Sequence, residues 1–150
     1  MRYTSMHMNL SVKIRRLDSG VALPTYKTAG AVAFDIAVRN GGTLAAGERR
    51  LFPTGLVICV PKDHALMLAA RSSNAKKGLQ LANGIGLVDQ DFCGPNDELQ
   101  LALYNIGSEP YTIEKDERVA QGMFVPVIKA IFEEIEVLTA PNRGGFGTTG

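Results

Sequence analysis

Three things are scarce in this chain, and each scarcity argues against a class of protein. There is no dense block of lysine and arginine, and 16 basic against 15 acidic residues leave a net charge of +1. Broad nucleic-acid and membrane surfaces need a concentrated basic field, so neither partner is expected, while small ligands stay open. Cysteine occurs only at Cys59 and Cys93, with no metal-type spacing. Two cysteines make a disulfide scaffold improbable, and both are expected as reduced small hydrophobes. No apolar run could span a bilayer, and the opening MRYTSMHMNLSVKIRR lacks the hydrophobic stretch of a signal peptide. A cytoplasmic protein is the expectation, which makes the sequon Asn9-Leu10-Ser11 a chance match. The two histidines, His7 and His64, stand in no triad-like context, and no Ser-His or Cys-His nucleophile pair is suggested.

What is present is a series of short β-type runs. At 150 residues the chain fits one domain with a substantial core, and its 45% hydrophobic and 21% charged content is ordinary for a globular protein. LSVKIRRL (10–17) alternates, with Leu10, Val12 and Ile14 on one face. AVAFDIAV (31–38) is short and apolar between glycines, and RRLFPTGLVICVP (49–61) holds two strand-like pieces around Pro53-Thr54-Gly55. HALMLAARSS (64–73) runs apolar into a polar stop. ELQLALYN (98–105) puts Leu99, Leu101 and Leu103 on one face. Turn signals about every ten residues predict an all-β jelly roll or sandwich rather than βαβ units. LPTYKTAGA (23–31) carries too many breakers for a regular element. DERVAQGMFVPVIKAIFEEIEVL (116–138) shows helical spacing at Ile128, Ile131, Phe132 and Ile135, but Pro126 and its Val/Ile content favour strands. At most one short helix is expected elsewhere.

Three stretches could carry chemistry. ARSSNAKKG (70–78) offers the Arg71 fork, the hydroxyls of Ser72 and Ser73, and two nearby lysines. It suits either a solvated turn with capping serines or a cradle for phosphate oxygens, without the spacing of a P-loop. GIGLVDQDFCG (84–94) reads as a strand ending at Gly94 that spends Asp89 and Asp91 on one side of an apolar run. A carboxylate in such a wall can be a general base, a metal ligand or a structural acid. Asp91 fits the structural role, bonding turn amides before Gly94, and Asp89 fits the base. The tail PNRGGFGTTG reads as mobile, yet its single ring among glycines could cover a flat base while backbone amides approach phosphates.

In order, AVAFDIAV, ARSSNAKKG, NGIGLVDQDFCG, DERVAQGMFVP and RGGFGTTG resemble the five motifs of the trimeric dUTPase (dUTP diphosphatase) family. The resemblance covers nearly the whole chain. It implies a jelly-roll-like β domain over residues 1–140 and an arm, 141–150, that closes over a neighbouring subunit's site in a homotrimer. It further implies Mg²⁺-dependent hydrolysis of dUTP to dUMP and pyrophosphate. Carried over by position, Asp89 would activate the attacking water. Arg71, Ser72, Ser73 and Gln121 would hold phosphates, and Asp35 would position Mg²⁺ through coordinated waters. Asn83 and the backbone at Leu87 and Val88 would read the uracil edge, and Phe92 would lie against the deoxyribose. Phe146 would stack on uracil, with Arg143, Thr148 and Thr149 meeting the terminal phosphate.

The chain departs from the family pattern in three places. Phe92 stands where the family usually has Tyr, so a hydrogen bond worth about 0.5–1.5 kcal/mol is lost and sugar discrimination is expected to weaken. Pro95-Asn96-Asp97 reads as an insertion after Gly94, and Arg143 precedes GGF more closely than the family's usual arginine. Two rivals remain. A dCTP deaminase shares the fold but needs a further catalytic glutamate, for which LQLANGIGL offers no acid. A noncatalytic trimeric β module has little use for a poised base.

Overall fold

A computed structural model of the chain describes residues 9–145. In order along those residues run β1 (Lys13–Arg16), β2 (Phe34–Ala37), β3 (Gly42–Leu44), β4 (Arg49–Pro53), β5 (Leu56–Cys59) and β6 (His64–Ala70). They are followed by α1 (Asn74–Lys77), β7 (Leu79–Leu81), β8 (Gly86–Val88), β9 (Gln100–Asn105), β10 (Tyr111–Ile113) and β11 (Arg118–Pro126). Every pairing is antiparallel: β2-β11-β6-β8 and β4-β9-β7 form the larger sheets, and β1-β5 and β3-β10 form two-stranded ones. This is the jelly-roll-like, nearly all-β architecture that the alternating runs predict.

The alternation explains where the core sits. Phe34, Ile36 and Val38 bury one face of the β2 run, and Leu99, Leu101 and Leu103 bury one face of the β9 run. Leu66, Leu68, Val88 and Ile113 close over them from neighbouring strands. A period of two in sequence thus becomes one apolar wall per strand. Two glycines permit this packing. A Cβ at Gly122 would stand 2.9 Å from the Phe34 ring and 3.1 Å from Leu66 Cδ1, so only a bare backbone fits there. Gly55 turns the chain between β4 and β5 with φ of 73°, in the left-handed region that favours glycine.

Four expectations are corrected. The strand expected over 84–94 ends at Val88, after which residues 89–98 are turn and loop. The turn acid is Asp97 rather than Asp91: the Gly94 amide donates to Asp97 Oδ2 at 2.5 Å, whereas Asp91 contributes only its main-chain oxygen, to Cys93 N. The segment after Pro126 forms neither strand nor helix through Gly145, because Pro126 ends the ladder against β6 and no strand among the described residues pairs with residues 127–145. Finally, Cys59 and Cys93 are joined as a disulfide, with Cα atoms 4.9 Å apart. Their separation in sequence carries no sign of this; β5 and the loop after β8 meet only in the tertiary fold.

Candidate active site

One group of charged side chains gathers on the outer face of the β2-β11-β6 sheet. Asp35, on β2, receives Arg71 Nε on Oδ1 at 2.8 Å and Arg118 Nη1 on Oδ2 at 2.9 Å. Arg71 leaves the end of β6 and also donates from Nη1 to the Arg118 carbonyl, while Gln121 Nε2 donates to the Ala70 carbonyl. The Asp35 carboxyl is only 14% exposed, against 26% for Arg71 and 44% for Arg118. Two guanidinium groups on one carboxylate leave a surplus positive charge at a half-open surface, the electrostatic complement of an anion.

Nothing local in the sequence marks Arg118, and the reason is geometric. Gln121 lies three positions further on, which in a regular strand puts the two on opposite faces. The pairing of β11 with β2 shifts register between Arg118 and Ala120, a β-bulge, and Val119 and Ala120 are both buried. The extra residue turns Arg118 to the same outer face as Gln121 and Asp35. Alternation within the motif carries no signal for this; the adjacent apolar pair Val119-Ala120 is the one trace of it.

Behind Arg118 a second ion pair holds the backbone. Lys77, the last residue of α1, lies 2.5 Å from Glu117 Oε1, which also accepts from Tyr111 Oη at 3.1 Å, and Oε2 accepts from the Glu114 amide at 2.9 Å. Burial pushes the Glu117 carboxyl up, but the bonds from Lys77 and the Glu114 amide outweigh it and hold it below the usual glutamate range. The Glu117 bond raises Lys77 above the usual lysine value. A depressed carboxyl stabilises the fold above its unfolded value of 4.5 and loses that contribution as pH falls through its folded value. Glu117→Gln is therefore expected to cost about 1–3 kcal/mol at pH 7. The difference from the parent should shrink as the medium is acidified below the carboxyl's folded value, which urea unfolding at the two pH values measures.

The acid singled out by sequence lies elsewhere. β8 is the edge of its sheet, so one side of its backbone pairs with no strand among the described residues. Val88 is buried in the core, leaving only its main chain for recognition, while Leu87 on the opposite face is 68% exposed. Asp89 comes next, exposed, and opens a tight turn in which Phe92 N donates to Asp89 O at 3.4 Å. The turn brings Asp89 and Phe92 together, and Gln90 Nε2 ties it to the His64 carbonyl at 3.1 Å. Asn83 sits exposed in the turn between β7 and β8.

Strand register shows how far apart the two groups are. Val88 pairs with Leu66 at the start of β6, so Asp89 stands beside Ala65, whereas Arg71 succeeds the other end of that strand. At roughly 3.3 Å per residue the gap is about 20 Å. The fold therefore unites Asp35, Arg71 and Gln121, and separately Leu87, Val88, Asp89 and Phe92, but does not bring the two sets together within one chain. Beside Arg71, Ser72 is exposed, and Ser73 Oγ is buried without a hydrogen-bond partner. Arg143 is exposed in the irregular C-terminal segment, and Phe146, Thr148 and Thr149 lie outside the described residues.

Comparison with known proteins identifies the family and the fold. The dUTPase family model matches residues 20–150. The deoxyuridine 5'-triphosphate nucleotidohydrolase of Methylocella silvestris is 42% identical, covering 94% of this chain and 92% of its own. That of Neisseria gonorrhoeae is 38% identical, covering 95% and 99%. Among solved structures, the dUTPase from Streptococcus mutans superposes with a TM-score of 0.73 at 31% identity, over 82% of this chain and all of that one. With its fold, its motif order and these matches in agreement, the chain belongs to the dUTPase family.

Proposed function

We propose that this protein hydrolyses dUTP to dUMP and pyrophosphate as a cytoplasmic homotrimer, limiting uracil incorporation into DNA and supplying dUMP for dTMP synthesis. The observation that carries the reading is the pairing of an anion-complementary cluster with an exposed, unencumbered carboxylate at the far end of the same sheet. Asp89 takes a proton from water as that water attacks the α-phosphorus. The bond from that phosphorus to the bridging oxygen breaks, and pyrophosphate leaves. Phosphoryl chemistry of this kind needs positioning and charge neutralisation more than covalent help from the protein. Arg71, with Arg118 behind it, Gln121 and the hydroxyls of Ser72 and Ser73 supply donors for the phosphates. The unsatisfied Ser73 Oγ supports that role, since a buried hydroxyl without a partner lacks its complement.

Mg²⁺ fits the residues present if it arrives on the nucleotide. No group of three or more metal-ligating side chains occurs among the described residues. Mg²⁺ keeps several waters and commonly binds through one or two carboxylates plus substrate phosphates. Each Asp35 oxygen, already taking one arginine, keeps a second lone pair for a coordinated water. When bound there, the ion would neutralise charge along the phosphate chain. At the other end, the open edge of β8 and the exposed Asn83 give main-chain and amide groups to a base edge. A base presenting the wrong edge leaves those groups unpaired, which is the stronger form of discrimination.

The homotrimer is supported by what one chain leaves uncovered. A site assembled from clusters about 20 Å apart needs more than one subunit. Ile128, Ile131 and Phe132 are 99%, 97% and 94% exposed, and an open groove of about 760 Å³ is lined by Val12, Ile14, Leu23, Tyr26, Phe34 and Phe124. Apolar surface of that extent marks a contact between proteins. In the trimer, the arm over residues 141–150 brings Phe146 onto the uracil ring and Arg143, Thr148 and Thr149 toward the terminal phosphate. The test is pyrophosphate release, with Mg²⁺, across the nucleoside triphosphates. Turnover confined to dUTP supports the reading; ammonia release from dCTP, or no turnover of any nucleotide, overturns it.

A further inference from the structure

The ten residues from Asp89 to Glu98 carry the proposed base and the sugar-contacting ring, yet they belong to no strand. Few bonds hold them in place. Gln90 reaches the His64 carbonyl at 3.1 Å, Arg15 Nη1 reaches the Pro95 carbonyl at a long 3.4 Å, and the Gly94–Asp97 turn closes on itself through Asp97. At its far end Glu98 Oε1 accepts from the Gly55 amide at 2.6 Å, and the anchor beside Phe92 is covalent: Cys93, four residues beyond Asp89, is bonded to Cys59 at the end of β5. Cys59 is itself fixed, because its strand pairs with β1 at Lys13↔Cys59. Both sulfur-bearing residues are partly exposed, so small thiols can reach them.

We propose that the Cys59–Cys93 bond positions the Asp89–Phe92 turn, and that the protein's selectivity for the deoxy sugar depends on the redox state of this pair. The inference rests on the hydrolase reading above. The exchange is balanced with a small disulfide such as oxidised glutathione. One protein thiolate attacks a glutathione sulfur and expels one reduced glutathione. The second protein thiolate then attacks the mixed disulfide and expels another. The protein loses two electrons and two protons, and the oxidant becomes two thiols. A dithiol reverses both steps. In the reduced state the loop keeps Asp97, Gln90, Arg15 and, at its far end, the Glu98–Gly55 bond, but loses the covalent tie beside Phe92. Cys93 adjoins Phe92, so the first property to relax is the fit of that ring against the sugar.

The experiment uses the full chain, equilibrated with oxidised glutathione or with dithiothreitol, and compares wild type, Cys59→Ser and Cys93→Ser. Thiols are counted under denaturing conditions, and kcat/KM is measured for dUTP and for UTP. Oxidised wild type should show no titratable thiol and the reduced form two. Reduction should lower kcat/KM for dUTP by roughly ten- to a hundred-fold, the scale of an ångström-level misplacement, and narrow the dUTP-to-UTP ratio. Under dithiothreitol both serine variants should show the reduced wild-type values; with oxidised glutathione their single remaining thiol can take up one glutathione but cannot close the protein bond, so the oxidised values should not return. Two free thiols in the oxidised sample overturn the proposal. An unchanged dUTP-to-UTP ratio does so as well, since a purely structural bond would alter melting temperature and leave that ratio alone. If no dUTP is turned over in either state, the hydrolase reading fails instead, and the thiol count still judges the bond.

Discussion

Asp89→Asn is expected to reduce dUTP turnover by roughly 10²–10⁴-fold, the usual contribution of a positioned general base, while nucleotide binding stays within a few-fold. The substitution keeps the shape of the side chain and removes only its ability to take a proton. Its surroundings make the test clean. Among the described residues the Asp89 carboxylate enters no hydrogen bond or ion pair, and its part in the turn runs through its main-chain oxygen. No buried charge is orphaned by the change, so stability should move by less than about 0.5 kcal/mol, as for other exposed positions. Single-turnover pyrophosphate release, paired with calorimetric titration of a non-hydrolysable dUTP analogue, separates the two effects. Retained turnover would remove Asp89 from the mechanism; lost binding would mean that it holds the nucleotide instead.

The parts of this molecule that could be read from sequence are those where local pattern and tertiary structure agree. Alternation puts Leu101 and Leu103 on the buried face of β9 and the buried Leu99 just before it, and Pro53-Thr54-Gly55 marks the turn between β4 and β5. Asp35, Arg71 and Gln121 were found because their motifs carry them, and the fold brings all three to one surface. What escaped needed information that no window of sequence holds. Arg118 joins the cluster through a bulge that breaks the period of two. Asp97 rather than Asp91 closes the turn because the inserted residues place its carboxylate on the Gly94 amide. The Cys59–Cys93 pair depends on two segments that meet only after the sheets have packed. The apolar spacing over 128–138 is legible as a pattern but not as an element, since Ile128, Ile131 and Phe132 stay exposed and residues 127–145 form neither strand nor helix. Each miss is a long-range event beside a correct local reading.

Arg71→Ala and Asp89→Asn should each be nearly inactive alone, and mixing them should restore activity. Removing Arg71 takes away the guanidinium proposed to meet the phosphates, an expected loss of about 10²–10³-fold by analogy with other transition-state charge stabilisers. The fold should survive it, because Asp35 keeps Arg118 Nη1 at 2.9 Å and is not left as an unpaired buried charge. The two damaged positions lie about 20 Å apart in one chain, counted along β6 at about 3.3 Å per residue. On the proposed reading, a working site draws Asp89 from one subunit and Arg71 from another. When the two variants are unfolded together in equal amounts and refolded, subunits associate at random. A given site then receives an intact Asp89 and an intact Arg71 with a probability of about one quarter, so about a quarter of wild-type turnover should return in the mixed closed oligomer. Sites built within single chains predict no recovery at any mixing ratio, because every chain lacks one of the two groups. Turnover against mixing ratio decides between them: the shared site gives a curve that peaks at equal amounts and falls to zero at both ends.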